Sequence, residues 1–231
     1  MLFRSLLKGN SLAALFYYRI AEQIYLKEME FKFSEFAGFE DIIYRRVGDV
    51  LSHNGLHDKA VDAHLKSLFI NGDQPIEYFK AGLNYYLASF DKQFPLQEAS
   101  DIDAALENFT HAIVYSSRNL KDPYFRFIFV ISSYFKGKAL EVLGGFEKSN
   151  EYLVQASQRL GTYNSLWLAL AESYIKYERE VWDTDEEGRY ILKYTTDKGK
   201  YYDKAVEVLN RVLQFDPTND EAREMLQSIG G

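Results

Sequence analysis

The chain has 231 residues, of which 47% are apolar and 16% aromatic, and its formal net charge is −7. This apolar content can form a sizeable core in one large domain or two small ones. The 34 acidic residues outnumber the 27 basic ones, which argues against a nucleic-acid partner because phosphate binding needs a basic surface. The chain has no cysteine, so disulfides, thiolate zinc sites and cysteine nucleophiles are excluded.

The sequence contains no pattern for export or membrane insertion. No run approaches the ~18 apolar residues that a transmembrane helix needs. Residues 1–10 have a short apolar run without a small-residue cleavage site, which makes them a poor signal peptide. We therefore predict a cytoplasmic protein that does not insert into a membrane.

The first predicted helix covers residues 11–25. It carries a small residue, a bulky one four positions later and a small one three positions after that, namely Ala14, Tyr18 and Ala21. Spacings of three and four put these residues on one face of a helix. No partner helix precedes this one, so its apolar side needs a cover. The cover could come from residues 28–40 folding back or from another copy of the chain. It could also come from four apolar residues before the helix, Leu2, Phe3, Leu6 and Leu7.

Two later stretches repeat at a spacing of 34 residues, which indicates a repeat architecture. In both stretches a small residue lies between two larger ones at helical spacing. Tyr44, Gly48 and Leu51 recur as Tyr78, Gly82 and Tyr85, and Ser133, Gly137 and Leu140 recur as Trp167, Ala171 and Tyr174.

Each of these groups is followed by a copy of the pattern seen in residues 11–25. The four copies are Ala60, His64 and Ser67; Ala105, Phe109 and Ala112; Ser149, Leu153 and Ala156; and Ala205, Leu209 and Val212. Small residues let a neighbouring helix backbone approach, and the bulky residue fills the remaining gap. The pattern therefore predicts pairs of closely packed helices.

Turn residues separate the predicted helices. Asn54-Gly55 and Gly144-Gly145 supply the left-handed or flexible conformations that end helices. Pro75 and Pro123 stand where proline is tolerated, at the first turn of a helix. Residues 124–134 are rich in β-branched and aromatic residues, but a helical pattern continues directly from them. We interpret them as a buried helix that begins at Pro123.

Three segments carry a resemblance to the tetratricopeptide repeat family: YRRVGDVLSHNGLHDKAVDAHLKSL, LWLALAESY and KYYDKAVEVLNRVLQFDP. The resemblance covers roughly residues 41–230. It implies an all-α fold, a right-handed α-solenoid of antiparallel helix pairs with about ten helices, in which the first helix of each pair lines a concave groove. His64 departs from the family pattern, which usually has a large aromatic residue at that place.

The register of the repeats predicts a division of the chain. Residues 1–40 form an N-terminal helical segment that packs on the repeats, and residues 41–218 form four repeats. Insertions interrupt these repeats near residues 88–99 and 178–200. Residues 219–231 form a polar capping helix, which an open repeat stack needs for solubility. The insertion at 181–200 is either a second contact surface or a helical extension that pads the stack.

Motifs that could carry catalysis or bind a metal are weak. The four histidines have no third ligand at metal spacing. Asp183, Asp185, Glu187 and Gly188 resemble the start of a calcium-binding loop, but Tyr194 stands where a bidentate glutamate is required. There is no nucleophile elbow and no phosphate-binding glycine loop. We predict no enzyme activity, no cofactor and no metal site.

The concave groove is the predicted binding site. If the repeat register holds, the first helices offer a partner nine side chains: Arg45, Asp49, Phe79, Leu83, Tyr86, Tyr134, Lys138, Glu172 and Lys176. The family's best-known peptide sites hold a C-terminal carboxylate with lysine, arginine and asparagine. That arrangement is not expected here, because Asp49 and Leu83 occupy places where an asparagine would help.

These observations predict a non-catalytic scaffold or adaptor that binds a protein or peptide partner in the groove. Apolar partner side chains would be buried against the aromatic residues, and the charged residues would fix the register. Two alternatives stay open. The groove can be filled by the protein's own N-terminal helix or insertions, or the protein can be a structural one that oligomerises through its N-terminal helix.

Overall fold

A computed structural model describes residues 40–90, 95–161, 163–184, 190–194 and 199–230. These residues form nine helices and one β-hairpin. The chain divides into two compact units, Met1–Ser132 and Ser133–Gly231. The predicted all-α fold of paired helices is confirmed, and the helix count is close to the predicted ten.

The first unit contains helices α1 (Glu40–His53), α2 (His57–Ile70), α3 (Pro75–Ser89) and α4 (Pro95–Ser117), and the start of α5 (Pro123–Val142). Helix α1 packs on α2, α2 on α3, and α3 on α4. Proline occupies the first position of α3, α4 and α5, where its missing N–H is no loss. The prediction that one long helix begins at Pro123 is confirmed.

The second unit contains the end of α5, then α6 (Phe146–Arg159), α7 (Asn164–Arg179), α8 (Lys200–Phe215) and α9 (Asp220–Gly230). Helix α6 packs on α7, α7 on α8, and α9 on both α7 and α8. Leu153, Ala171 and Leu209 lie in its core. Asn219 begins α9 by accepting a hydrogen bond from the backbone N–H of Ala222 at 2.9 Å, as an N-cap residue does.

A β-hairpin separates α7 from α8. Strand β1 (Glu180–Thr184) pairs antiparallel with β2 (Tyr190–Tyr194), and Glu180 lies opposite Tyr194. The interpretation of this insertion as a helical extension is therefore wrong. The helical periodicity of the neighbouring segments does not extend into these residues, which instead include the β-branched and aromatic residues typical of strands.

The small residues of the first helices are points of close approach, as the sequence predicted. A Cβ atom added at Gly48 would lie 2.5 Å from the His64 ring, and one at Gly82 would lie 2.9 Å from the Phe109 ring. At Gly137 the added atom would lie 2.9 Å from Leu153. All twelve residues of the four second-helix patterns are buried.

Two glycines end helices in the left-handed conformation that the sequence predicted. Gly55 and Gly144 both have a φ of 72°, and they are the residues with positive φ among those described. The backbone N–H of Leu56 donates to the carbonyl of Leu51 at 3.0 Å, and that of Gly145 donates to the carbonyl of Leu140 at 2.8 Å. These bonds satisfy the last carbonyl groups of α1 and α5. The chain can thus reverse directly into α2 and α6.

Candidate partner-binding site

In the first unit, a network of charged side chains joins α1, α2 and α3. Lys80 of α3 contacts Asp49 of α1 at 2.7 Å and Glu77 at 3.0 Å. Glu77 in turn accepts a hydrogen bond of 2.7 Å from Nδ1 of His64 on α2. Arg45 lies outside this network and pairs with Asp41 on its own helix at 3.1 Å. The predicted residues Arg45 and Asp49 therefore lie in ion pairs.

The part of this network formed by His64 and Glu77 is fully buried. The side chains of His64 and Glu77 are each 1% exposed. Burial raises the pKa of Glu77, but the hydrogen bond with His64 and the charge of Lys80 outweigh it and hold that pKa below its ordinary value. His64 replaces the usual aromatic residue because it must fit against Gly48 and also contact the Glu77 carboxylate.

The predicted aromatic contacts on α3 separate into a core residue and surface residues. Phe79 is only 8% exposed, and its ring lies 6.1 Å from that of Phe109. Phe79 therefore offers a partner little surface, because α4 covers most of it, and its role as a partner contact stays a prediction. Leu83 and Tyr86 are half-buried, and Tyr86 packs edge-on against Phe90, which is itself 55% exposed.

In the second unit, four predicted residues lie together on α5 and α7. Lys138 contacts Glu172 across the two helices at 3.4 Å, and Lys176 contacts the same carboxylate at 3.0 Å. Lys138 also pairs with Glu141 at 2.6 Å. Tyr134 is half-buried one turn before Lys138. The repeat register thus identified residues that are neighbours in space.

The pKa values of this group follow from its ion pairs. Burial would lower the pKa of Lys138, but the Glu141 carboxylate outweighs burial and raises that pKa above its ordinary value. For Glu172, burial alone would raise the pKa, whereas Lys138 and Lys176 together lower it. Both groups are therefore charged at neutral pH, so the face presents fixed charges to a partner.

An open pocket of about 380 Å³ adjoins these residues. Helices α5, α7 and α9 line it. Its lining residues are Tyr134, Ser165, Leu168, Ala169, Glu172, Glu221 and Met225. No segment in the described part of the chain fills this pocket. The pocket therefore combines apolar side chains with carboxylates at one place on the first-helix face.

Helix α9 contributes more than the predicted polar cap. Ala222 and Ile229 are buried, and Met225 and Leu226 pack against the core. The apolar residues of α9 recur at helical spacing, so the signal was present in the sequence. Lys80 was not predicted, because its partner Asp49 lies on another helix, although Glu77 stands three residues before it on α3.

Two of the four histidines, His57 and His64, take structural positions. His57 contacts the side-chain oxygen of Asn84 at 2.9 Å, and His64 lies in the buried pair with Glu77. Among the residues that the structure describes, no group of histidine and carboxylate side chains could hold a metal ion. None of the described helices is long and apolar enough to cross a membrane.

Comparison with known proteins gives the fold. The thermophilic TPR protein TTC0263 of Thermus thermophilus superposes with a TM-score of 0.58 at 15% identity, over 99% of this chain and 98% of that one. The chain has the tetratricopeptide repeat fold. The crystal structure of MamA is also similar, with a TM-score of 0.64 at 13% identity over 96% of this chain and 97% of MamA.

A sequence relative carries the same repeat. The TPR repeat-containing protein MJ1428 of Methanocaldococcus jannaschii is 27% identical in an alignment of 183 positions that covers 72% of this chain. The chain spans 28% of the length of that relative. No family model matches the chain. The tetratricopeptide resemblance found in the sequence is thus confirmed by a relative and by solved structures.

Several predictions fall outside the described residues or stay predictions. The N-terminal helix at 11–25 and its cover lie outside the described residues, as does most of the acidic turn after Asp183. The division into an N-terminal segment 1–40, four repeats over 41–218 and a cap from 219 stays a prediction. The nine groove residues also stay predictions as partner contacts.

Proposed function

We propose that this protein is a non-catalytic cytoplasmic scaffold that binds a protein or peptide partner through the first helices of its repeats. The observation that carries the proposal is the open pocket beside the charged residues of α5 and α7. Apolar and charged groups with fixed positions lie there within reach of solvent. Such a combination suits recognition of a peptide segment rather than a reaction.

The side chains of this face divide into two roles. Tyr134 and Met225 are partly buried hydrophobic residues packed on the core, so they offer a rigid apolar surface. Partner side chains would lose contact with water there, which is the main source of affinity. Lys138, Glu172 and Lys176 are held by their mutual ion pairs, so they offer polar contacts at little ordering cost.

The first unit has candidate contacts of its own on α1 and α3. Leu83 and Tyr86 are half-buried on α3, and Asp49 is tied to Lys80. Arg45 keeps part of its side chain exposed beside Asp41. The tetratricopeptide resemblance implies a binding groove along the first helices, and these residues all lie on α1 or α3. They add apolar and charged contacts of the same kind as the second unit.

A display selection tests the proposal. A library of random 12-residue peptides is selected against the chain, and binding of the enriched peptides is measured by fluorescence anisotropy. Tyr134→Ala should weaken binding several-fold, because it removes apolar surface from the proposed face. Tyr152→Ala on α6 is the matched control, since Tyr152 is also partly buried but lies on a second helix and does not line the pocket. Failure to enrich any peptide, or equal effects of both variants, would contradict the proposal.

A further inference from the structure

The pocket of the second unit has an apolar floor. Leu168 and Ala169 of α7 are 7% and 8% exposed, so they form a fixed base. Met225 of α9 and Tyr134 of α5 are partly buried and pack against the same core. A floor of this kind favours the aliphatic part of a side chain, and the tyrosine ring adds a face to which a cation is attracted.

The rim of the pocket is acidic. Glu172 and Glu221 line it, and none of the seven lining residues is a lysine or arginine. Glu172 already pairs with Lys138 and Lys176. Glu221, in the first turn of α9, is exposed and forms no ion pair with any described residue. The pocket therefore has one carboxylate whose charge is not balanced by a neighbour.

We infer that this pocket binds the side chain of an arginine in the partner segment. Its aliphatic stem would lie on Leu168 and Met225, and its guanidinium group would contact Glu221, with the Tyr134 ring close by. Arginine fits better than lysine, because a planar guanidinium can pair with a carboxylate through two hydrogen bonds and can also stack on an aromatic ring. This inference rests on the proposed function, since it names the chemistry of the partner.

The competing occupants fit less well. A partner carboxylate would meet the Glu221 carboxylate with like charge, which is unfavourable. A wholly apolar side chain would bury the floor but would also take water from the unpaired Glu221 carboxylate without replacing its hydrogen bonds. Charge complementarity therefore selects a cationic side chain with a long apolar stem.

Methionine methyl NMR tests the inference directly. The chain has three methionines, Met1, Met29 and Met225, so labelled methyl groups give three signals. The Met225 signal is identified by its loss in Met225→Leu. Three blocked tripeptides serve as probes: leucine-arginine-leucine, the same peptide with citrulline, and the same peptide with glutamate. Citrulline keeps the shape of arginine but removes its charge.

The arginine peptide should shift the Met225 signal saturably, while the citrulline and glutamate peptides should bind at least about fivefold more weakly. Glu221→Gln should weaken binding of the arginine peptide by a similar factor. Glu224→Gln is the matched control, because Glu224 is also exposed on α9 but does not line the pocket. Equal shifts with arginine and citrulline, or equal losses in the two variants, would overturn the inference.

The outcomes separate this inference from the proposed function. If display-selected peptides bind but the arginine tripeptide leaves the Met225 signal unchanged, the pocket does not select arginine and the scaffold function stands. If the arginine peptide shifts Met225 while no displayed peptide binds, the pocket assignment stands and the scaffold function is wrong.

Discussion

Replacing Gly48 by alanine tests the close approach of α1 and α2. A Cβ atom at this position would lie 2.5, 2.7 and 2.8 Å from three atoms of the His64 ring. The His64 ring cannot move away easily, because it is fully buried and its Nδ1 hydrogen-bonds the Glu77 carboxylate at 2.7 Å. The substitution must therefore move either the helix or the histidine.

The expected cost follows from three contributions. Forcing a methyl group into a packed core costs about 1–3 kcal/mol. Displacing His64 would also leave the buried Glu77 carboxylate with a poorer hydrogen bond, which costs about 1–3 kcal/mol when the bond is lost. Alanine is favoured over glycine inside a helix by about 1 kcal/mol, which offsets part of this. We expect the free energy of unfolding to fall by about 2 kcal/mol.

Urea unfolding followed by far-ultraviolet circular dichroism measures this change. Gly72→Ala is the matched control, because a Cβ atom there would meet its nearest neighbour at 3.7 Å, an ordinary contact. That variant should be neutral or slightly more stable, since alanine restricts the unfolded chain. A Gly48→Ala protein as stable as the wild type would refute the account of close packing at this position.

Three further predictions concern the core and the buried charges. Phe79→Ala should lower the free energy of unfolding by about 3–5 kcal/mol, because Phe79 is covered by α4. Tyr86→Ala should lower it by only about 1 kcal/mol, because Tyr86 is half-buried. Equal losses of stability in urea unfolding would contradict this difference in burial. Leu209→Ala should cost about 2–5 kcal/mol, since Leu209 is fully buried, and a cost below about 1 kcal/mol would contradict its place in the core. The pKa of Glu77 is lowered in the folded state, so its carboxylate stabilises the fold above the unfolded pKa of about 4.3, and this stabilisation is lost as the pH falls through the folded pKa. The pKa of Lys80 is raised, so its ammonium group stabilises the fold below the unfolded pKa of about 10.4, and this stabilisation is lost as the pH rises through the folded pKa. The stability difference between the wild type and Glu77→Gln should therefore shrink towards pH 3, and a difference that stays constant would contradict the buried pair.

The repeat spacing predicted the helix pairs because close packing restricts residue size. Only a very small residue fits at Gly48, Gly82 and Gly137, and each lies against the bulky residue of the following second-helix pattern. Such a restriction leaves a periodic mark in the sequence. The positions of the paired helices could therefore be predicted from one sequence.

The site could be predicted only in part. Helical periodicity indicates that Phe79 and Tyr134 share the equivalent face of their helices, but it does not indicate which of them another helix covers. In the structure Phe79 is covered by Phe109, whereas Tyr134 lines the open pocket. The hairpin was not predicted, although two runs with β-branched and aromatic residues, 180–184 and 190–194, flank a five-residue segment that contains Gly188, a pattern typical of a hairpin.

Photo-crosslinking tests the central claim that a partner segment binds at the pocket of the second unit. The chain has no cysteine, so a single Ser165→Cys substitution can carry a benzophenone label at the exposed edge of the pocket. Lys148→Cys places the same label on an exposed site of α6 as the control. With a display-selected peptide, we predict efficient crosslinking from position 165 and little from position 148. Equal crosslinking at both positions, or crosslinking at position 148 alone, would contradict the claim.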